Sequence, residues 1–398
     1  YNHFGPEGNY LHGYTPLVTH KHTTPWGDAI NFDDKGSIGV RDLMFANARY
    51  WLNEFRFDGL RFDAVHAIKD SGPRHLMQEM AEQLRASTDG RHIHLIMENS
   101  DNYSSWLARR DDGVPALYNA QWNDDFHHVL HVAATGEEFW YYKDYAGRMD
   151  LVGRALAEGF AYQGEFFEHD GHNKGEPSAF LPPTAFISFI QTHDQVGNRP
   201  FGERIGHLVE DHVLKALTAI YLLSPHIPMI FMGEEWNAKQ AFPFFSDVGE
   251  HLAEAIRTSR KKELDSIPHE EDLGLPPDPM SEKTFDAAKL GWAEQEQGKQ
   301  GEQLALVRRL LAIRHKELMP RLVGAPGNRA THALLAPKVV QVTWVLGDGS
   351  ELRVVANLAD EAFGSLPALG AEPLWDQGYD AGGSLAGWGV VFTLKHDS

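Results

Sequence analysis

At 398 residues, 42% of them apolar and 11% aromatic, the chain reads as globular and is long enough for one large domain and a smaller one. Acidic residues number 56 against 36 basic ones, and the formal net charge of −20 repels phosphate backbones and anionic bilayers, so neither nucleic acid nor a membrane is expected as a partner. The absence of cysteine excludes a disulfide framework, a thiolate metal site and a cysteine nucleophile, a composition that suits the cytoplasm, and no apolar run approaches the ~20 residues of a membrane span.

The opening Tyr1-Asn-His-Phe-Gly-Pro6 carries neither an initiator Met nor the basic start of a signal peptide, so the natural N-terminus is expected elsewhere. From there to about Asp34 the sequence is rich in Gly, Pro, His and aromatics without a sustained period. It reads as a long loop following a strand that ends near Tyr1 to His3, and His20-Lys-His22 within it as loop, not as a ligand pair. Val40, Leu43, Met44, Ala48, Trp51, Leu52 and Phe55 recur at helical spacing and make one apolar face.

Gly59-Leu-Arg-Phe-Asp-Ala-Val-His66 follows as a strand. Residues two apart share a face, so Arg61 and Asp63 point together while Leu60 and Phe62 point the other way. A guanidinium beside a carboxylate favours the ionised acid and fixes its orientation, which suits attack on an electrophile; the bland alternative is an ion pair at a strand end. The pattern then repeats, with a helix marked by Leu76, Met77, Met80, Ala81 and Leu84 and a buried strand, Ile93-His-Leu-Ile-Met-Glu98. Ala116 to Trp122 is a further strand, and a helical region runs from about Asp124 to Phe160 with a break near Gly136. His127 and His131, four apart on it, could share a metal, but a helix face is the commoner use, and core packing is the commoner use of the aromatics in Glu137 to Tyr142.

Thr184 to Asp194 is again apolar and again closed by an acid. A helix over Asp211 to Leu223 leads to Pro228-Met-Ile-Phe-Met-Gly-Glu-Glu235, and charged helical sequence runs from Asp247 to Glu263. Asp265 to Pro279 reads as a surface excursion and Glu302 to Leu318 as another amphipathic helix. Beyond about Arg321 the texture changes to β. Lys338 to Leu346, a Gly347-Asp-Gly349 turn and Glu351 to Asn357 make a hairpin.

Strand and helix alternate through residues 1–320, which predicts an α/β fold built as a parallel sheet or as a barrel of the (β/α)8 kind, with an antiparallel β-sandwich domain over 321–398. Asp63, Glu98 and Asp194 each stand where an apolar strand stops. In such a barrel, strand ends face one pocket, and carboxylates gathered there raise one another's pKa, so that one acid stays protonated while another stays ionised, as glycosidic cleavage requires.

With these residues in place, the chain resembles the α-amylase family of glycoside hydrolases, in Tyr1-Asn-His3, Gly59-Leu-Arg-Phe-Asp63, Ile96-Met-Glu98-Asn and Thr192-His-Asp194. Thr24 to Asp33, Ala120 to His128, Gln191 to Arg199 and Phe231 to Trp236 look like its branch that acts on maltooligosyltrehalose. The resemblance implies Asp63 as nucleophile, Glu98 as general acid/base and Asp194 as the acid that binds sugar hydroxyls and stabilises the transition state. It places His3, Arg61, His66, Gln121, Asp124 and His193 around the sugar. It implies a retaining hydrolase that frees trehalose from maltooligosyltrehalose or related α-1,4-glucans, with the two carboxyl groups about 5–5.5 Å apart. No cofactor and no metal are implied, and nothing in the sequence fixes an oligomeric state. A glucan-branching transferase, similar around Asn123 to His128, and a glucan-binding fragment without activity are the alternatives.

Members of the family begin their first conserved region with an aspartate upstream of Asn2-His3 and carry two earlier barrel strands and an N-terminal β domain. Strands 3 to 8 are therefore the ones expected here, with an unfilled breach, or further protein, between the strand near Tyr1 to His3 and the one at Pro228 to Glu235. Ser100 stands where an acid is usual after Glu98-Asn99.

Overall fold

The computed structural model describes residues 10–24, 27–88, 90–265, 267 and 274–396. The strand stub at Tyr1 to His3, and with it the neighbours expected for it, lie outside the described residues. The chain divides into two compact units, Tyr1–Trp122 and Asn123–Ser398.

The first unit opens on a hairpin of β1 (Val18–Thr24) and β2 (Gly27–Ile30) where a loop was expected. The register slips between Thr19 and Thr23, and β1 reads Val-Thr-His-Lys-His-Thr-Thr, so no apolar alternation marks it in the sequence. His20 and His22 sit on this strand, paired to Asp28 at 2.8 Å and Asp33 at 2.7 Å. Helix α1 (Ser37–Asn53) buries Val40, Phe45, Ala48 and Leu52, and strand β3 (Gly59–Phe62) follows. Helix α2 (Leu76–Ala86) and strands β4 (His94–Glu98) and β5 (Ala120–Trp122) complete a parallel β3-β4-β5 run. Leu60 and Phe62 turn toward Met77 and Met80 of α2, beside a cavity of about 320 Å³. Gly59 is needed where it stands: a Cβ there would meet the His94 carbonyl oxygen at 2.4 Å, so a side chain would push β3 off β4.

The second unit begins with α3 (Asp124–Thr135), ended by Gly136 at φ 70°, and α4 (Met149–Glu158). A hairpin of β6 (Glu165–Phe167) and β7 (His172–Lys174) precedes β8 (Phe186–Ser188). Then come α5 (His193–Gly197), α6 (Ile205–Leu208), α7 (Asp211–Leu223) and β9 (Ile227–Pro228), which pairs in parallel with β8. Helices α8 (Glu250–Leu264), α9 (Glu282–Ala287) and α10 (Gly298–Ile313) follow, and a π-helical turn at Arg314–Leu318 joins α10 to α11 (Met319–Leu322). The parallel strands are shorter than the apolar runs that announce them, because only the part in register with a neighbour holds the ladder.

Strands β10 (Ala330–Ala336), β11 (Val339–Val345), β12 (Glu351–Asn357), β13 (Pro373–Tyr379) and β14 (Leu385–Lys395) form one antiparallel sheet in the order β10-β11-β12-β14-β13. The β11–β12 hairpin closes at Gly347-Asp-Gly349 as expected, with Gly349 at φ 85°. A facing sheet, as in a sandwich, is not found among the described residues. Helices take its place: Leu151, Val152, Leu156, Leu217 and Ile220 of α4 and α7 share one apolar cluster with Val340, Val342, Trp344, Val354 and Phe392.

Candidate active site

Register brings the first acids together. Phe62 lies opposite Met97 and Glu98 opposite Trp122, so the residue after Phe62, Asp63, comes level with Glu98 and Trp122 at the C-terminal ends of three adjacent strands. Neighbouring strands are about 4.8 Å apart. Arg61 joins the acids, one guanidinium nitrogen bonded to Asp63 Oδ1 and the other 2.9 Å from Glu98 Oε2. The indole of Trp122 lies 4.1 Å under the same guanidinium, an apolar floor that keeps the cation in place. Asp63 stays open, its side chain 61% exposed, whereas that of Glu98 is only 16% exposed. One carboxylate can therefore meet a ligand directly, whereas the other is largely enclosed and held by its neighbours.

Ala64 adds a contact that the sequence did not announce. Its φ of 43° turns the chain out of β3, a costly conformation for a residue with a Cβ, and aims its N–H at Glu98 Oε2, 2.7 Å away. His66, two residues on, accepts at Nδ1 from the Ser100 N–H at 3.4 Å, so the position after Glu98-Asn99 is tied to the Asp63 turn through its backbone. Gln121 is fully buried and donates to the Asn99 carbonyl at 2.7 Å and to Asn102 Oδ1 at 3.0 Å. It braces the turn behind Glu98.

In the second unit the acid of interest sits at the first turn of α5. Thr192 caps this helix, its hydroxyl accepting from the Asp194 N–H at 3.2 Å while the Gln195 side chain accepts from the Thr192 N–H at 2.9 Å. Gln195 also reaches Asp124 Oδ1 at 3.3 Å, which ties Asp194's turn to the start of α3. His193 and Asp194 are each about half exposed and stand 3.4 Å apart. Of the residues singled out from sequence, Arg61, Asp63, His66, Glu98 and Gln121 gather in the first unit and Asp124, His193 and Asp194 in the second. His3 lies outside the described residues.

His127 and His131 are committed to the interior. His127 bonds the Ile190 carbonyl at 2.7 Å and the Tyr142 hydroxyl at 2.8 Å, and His131 bonds Glu137 at 2.7 Å. Burial pushes both rings below the usual histidine range. Glu137, partly buried, is held down at about 2 by hydrogen bonds from His131 and Arg199, which outweigh its desolvation. Trp122 and Ala64 are the functional neighbours that sequence reasoning missed. The strand-end logic that selected Glu98 would have found Trp122, which closes the next strand, whereas nothing local marks Ala64.

Residues 327–392 match a family model described as "Domain of unknown function (DUF3459)". The chain is 39% identical over 293 residues to a malto-oligosyltrehalose trehalohydrolase of Saccharolobus solfataricus, covering 73% of this chain and 50% of that protein. It is 36% identical over 366 residues to one of Mycobacterium tuberculosis, covering 91% and 61%. A likeness to a 1,4-alpha-glucan branching enzyme of Shewanella frigidimarina is confined to 33 residues. Among solved structures, a Salmonella typhimurium protein assigned as an alpha amylase superposes with a TM-score of 0.92 at 40% identity, over 99% of this chain and 66% of that one. The chain thus spans about half to three fifths of the curated relatives. Over the part of those proteins that it spans, the chain is similar in sequence to the malto-oligosyltrehalose trehalohydrolases and in fold to the Salmonella typhimurium protein assigned as an alpha amylase.

Proposed function

We propose that this chain carries the chemistry of a retaining glycoside hydrolase that cuts the α-1,4 bond next to the terminal trehalose of maltooligosyltrehalose, releasing trehalose and a shortened maltooligosaccharide. The observation that carries the reading is the single guanidinium of Arg61 clasping Asp63 and Glu98 at the ends of adjacent parallel strands. One strand spacing between two carboxylates suits a mechanism in which a sugar carbon, and no intervening water, fits between them.

In this reading Asp63 attacks the anomeric carbon while Glu98 protonates the leaving oxygen. Glu98, then a base, takes a proton from water, which displaces Asp63 and restores both groups. Arg61 keeps Asp63 aimed, and the Ala64 N–H fixes the rotamer of Glu98. Asp194 takes the sugar hydroxyls and the developing positive charge, His193, Asp124, His66 and His3 are assigned to the surroundings of the sugar, and Gln121, fully buried, supports them from behind Glu98. Maltooligosyltrehalose as substrate follows from the relatives' activity, and an enzyme of the cytoplasm is the setting proposed.

Chromatography of the products from maltooligosyltrehalose tests the reading. Free trehalose with a shortened glucan is the expected result, whereas chains of new branching and no free trehalose would favour a transferase, in which a sugar hydroxyl replaces water. Asp63→Asn should abolish turnover while glucan binding stays measurable by calorimetry, since the attacking charge goes and the shape stays. Near-full activity in that variant would remove Asp63 as nucleophile.

A further inference from the structure

The turn that carries Asp194 is too short to hold itself. Helix α5 spans His193–Gly197, so its closing carbonyls find few partners within the helix. They are met instead from α8, more than sixty residues on. Arg260 donates from Nη2 to the Gly197 carbonyl at 2.8 Å and the Arg199 carbonyl at 3.1 Å, and from Nη1 to Asn198 Oδ1 at 3.2 Å. The Asn198 N–H in turn bonds the Asp194 carbonyl at 2.9 Å, so what fixes Asn198 fixes Asp194.

Arg260 differs from its helix. Arg257, Lys261 and Lys262 are exposed, as a charged surface helix requires, but Arg260 is buried to 7% exposure, with the Phe244 ring 5.5 Å from its guanidinium and Glu263 3.4 Å away. Burying a cation is costly unless its donors are met, and here three acceptors of one turn meet them. On the other side, Arg199 grips Glu137 through two bonds of 2.8 Å. The backbone that follows Asp194 is thereby held from two directions.

We propose that Arg260 is a positioning residue for Asp194: it clamps the Gly197–Arg199 backbone from outside and so sets how the Asp194 carboxylate is presented to the sugar. The inference rests on the role given to Asp194 above. A planar fork matches three acceptors that a single ammonium cannot reach together, so lysine is a partial substitute only.

The test uses the intact protein with maltooligosyltrehalose. Arg260→Lys is expected to lower kcat about tenfold with a smaller change in KM, and Arg260→Ala about a hundredfold, because small misplacements of a transition-state contact cost rate more than binding. Added guanidinium ion should restore part of the Ala variant's kcat, which a loss of folded protein would not allow. Joining Arg260→Lys to Asp194→Asn should add little to the effect of Asp194→Asn alone, as expected of residues acting through one another. Turnover lost in Asp194→Asn but kept within twofold in Arg260→Lys, or fully additive penalties, would overturn the role of Arg260 and leave the functional reading standing. Turnover kept in Asp194→Asn would overturn the role of Asp194, and that of Arg260 with it.

Discussion

Arg61 makes two separate ion pairs with the two ends of one rigid fork, and a lysine at the same position has only a point charge to offer. Arg61→Lys should therefore keep one acid and release the other. Expected is a fall in kcat/KM of about a hundredfold, carried mainly by kcat, in steady-state rates on maltooligosyltrehalose. An unchanged kcat would mean that the clasp only stabilises the strand ends. This pairing was legible because a strand places every second side chain on one face, which ties Arg61 to Asp63 whatever surrounds them. What the same argument cannot reach is the contact made by Ala64, since a backbone N–H carries no residue type, or the burial of Gln121, whose partners Asn99 and Asn102 become neighbours only through the turn they form. Arg260 is illegible for the same reason: in the sequence it is one charge among several on a polar helix, and only the turn of α5 takes it out of water.

Elements were legible where burial gave them a period. Helix α7 is found at the residues its apolar pattern marks, and α3 stops at the glycine that breaks the pattern, whereas the β1–β2 hairpin, built from Thr, His and Lys, had no period to show. The segment after β9 has a property that no pattern announces. Glu234 is buried there, bonded by the Tyr221 hydroxyl of α7 at 2.5 Å. Burial pushes its carboxyl from 4.5 up to about 7, against hydrogen bonds from Tyr221 and Gln191 that favour the ionised form; Glu235 adds repulsion, and Arg204 is the cation nearby. An acid whose folded pKa is raised binds its proton more tightly when folded, so its contribution is fully present below 4.5 and is lost as the pH rises through about 7. Near 1.4 kcal/mol per pH unit, that window is worth roughly 3 kcal/mol. Thermal unfolding at pH 5 and pH 8 should accordingly show a larger loss in the parent than in Glu234→Gln, whose amide keeps a hydrogen bond but does not titrate. Equal slopes in the two proteins would place the proton elsewhere.

On the scale of the whole molecule, the change of texture near residue 321 marks a change of architecture inside one compact unit, Asn123–Ser398. The C-terminal sheet lays its apolar face on α4 and α7, and Trp344, 1% exposed, donates its indole N–H to the Leu156 carbonyl at 3.0 Å. The approach is close. A Cβ on Gly153 of α4 would meet the His332 ring of β10 at 2.7 Å. Leu151, Val152, Leu156 and Ile220 therefore depend on the sheet to stay dry, and the sheet depends on them for its second layer. A chain ended after Gly324 should expose this surface and collect in the insoluble fraction, and residues 325–396 expressed alone should show no cooperative thermal transition by circular dichroism. In the intact protein, Trp344→Ala should cost about 3–5 kcal/mol in denaturant unfolding, the range for emptying a large aromatic site in a core. If either piece proved soluble with a cooperative transition of its own, the sheet would be an independent domain and the shared apolar cluster a docking interface between two finished folds.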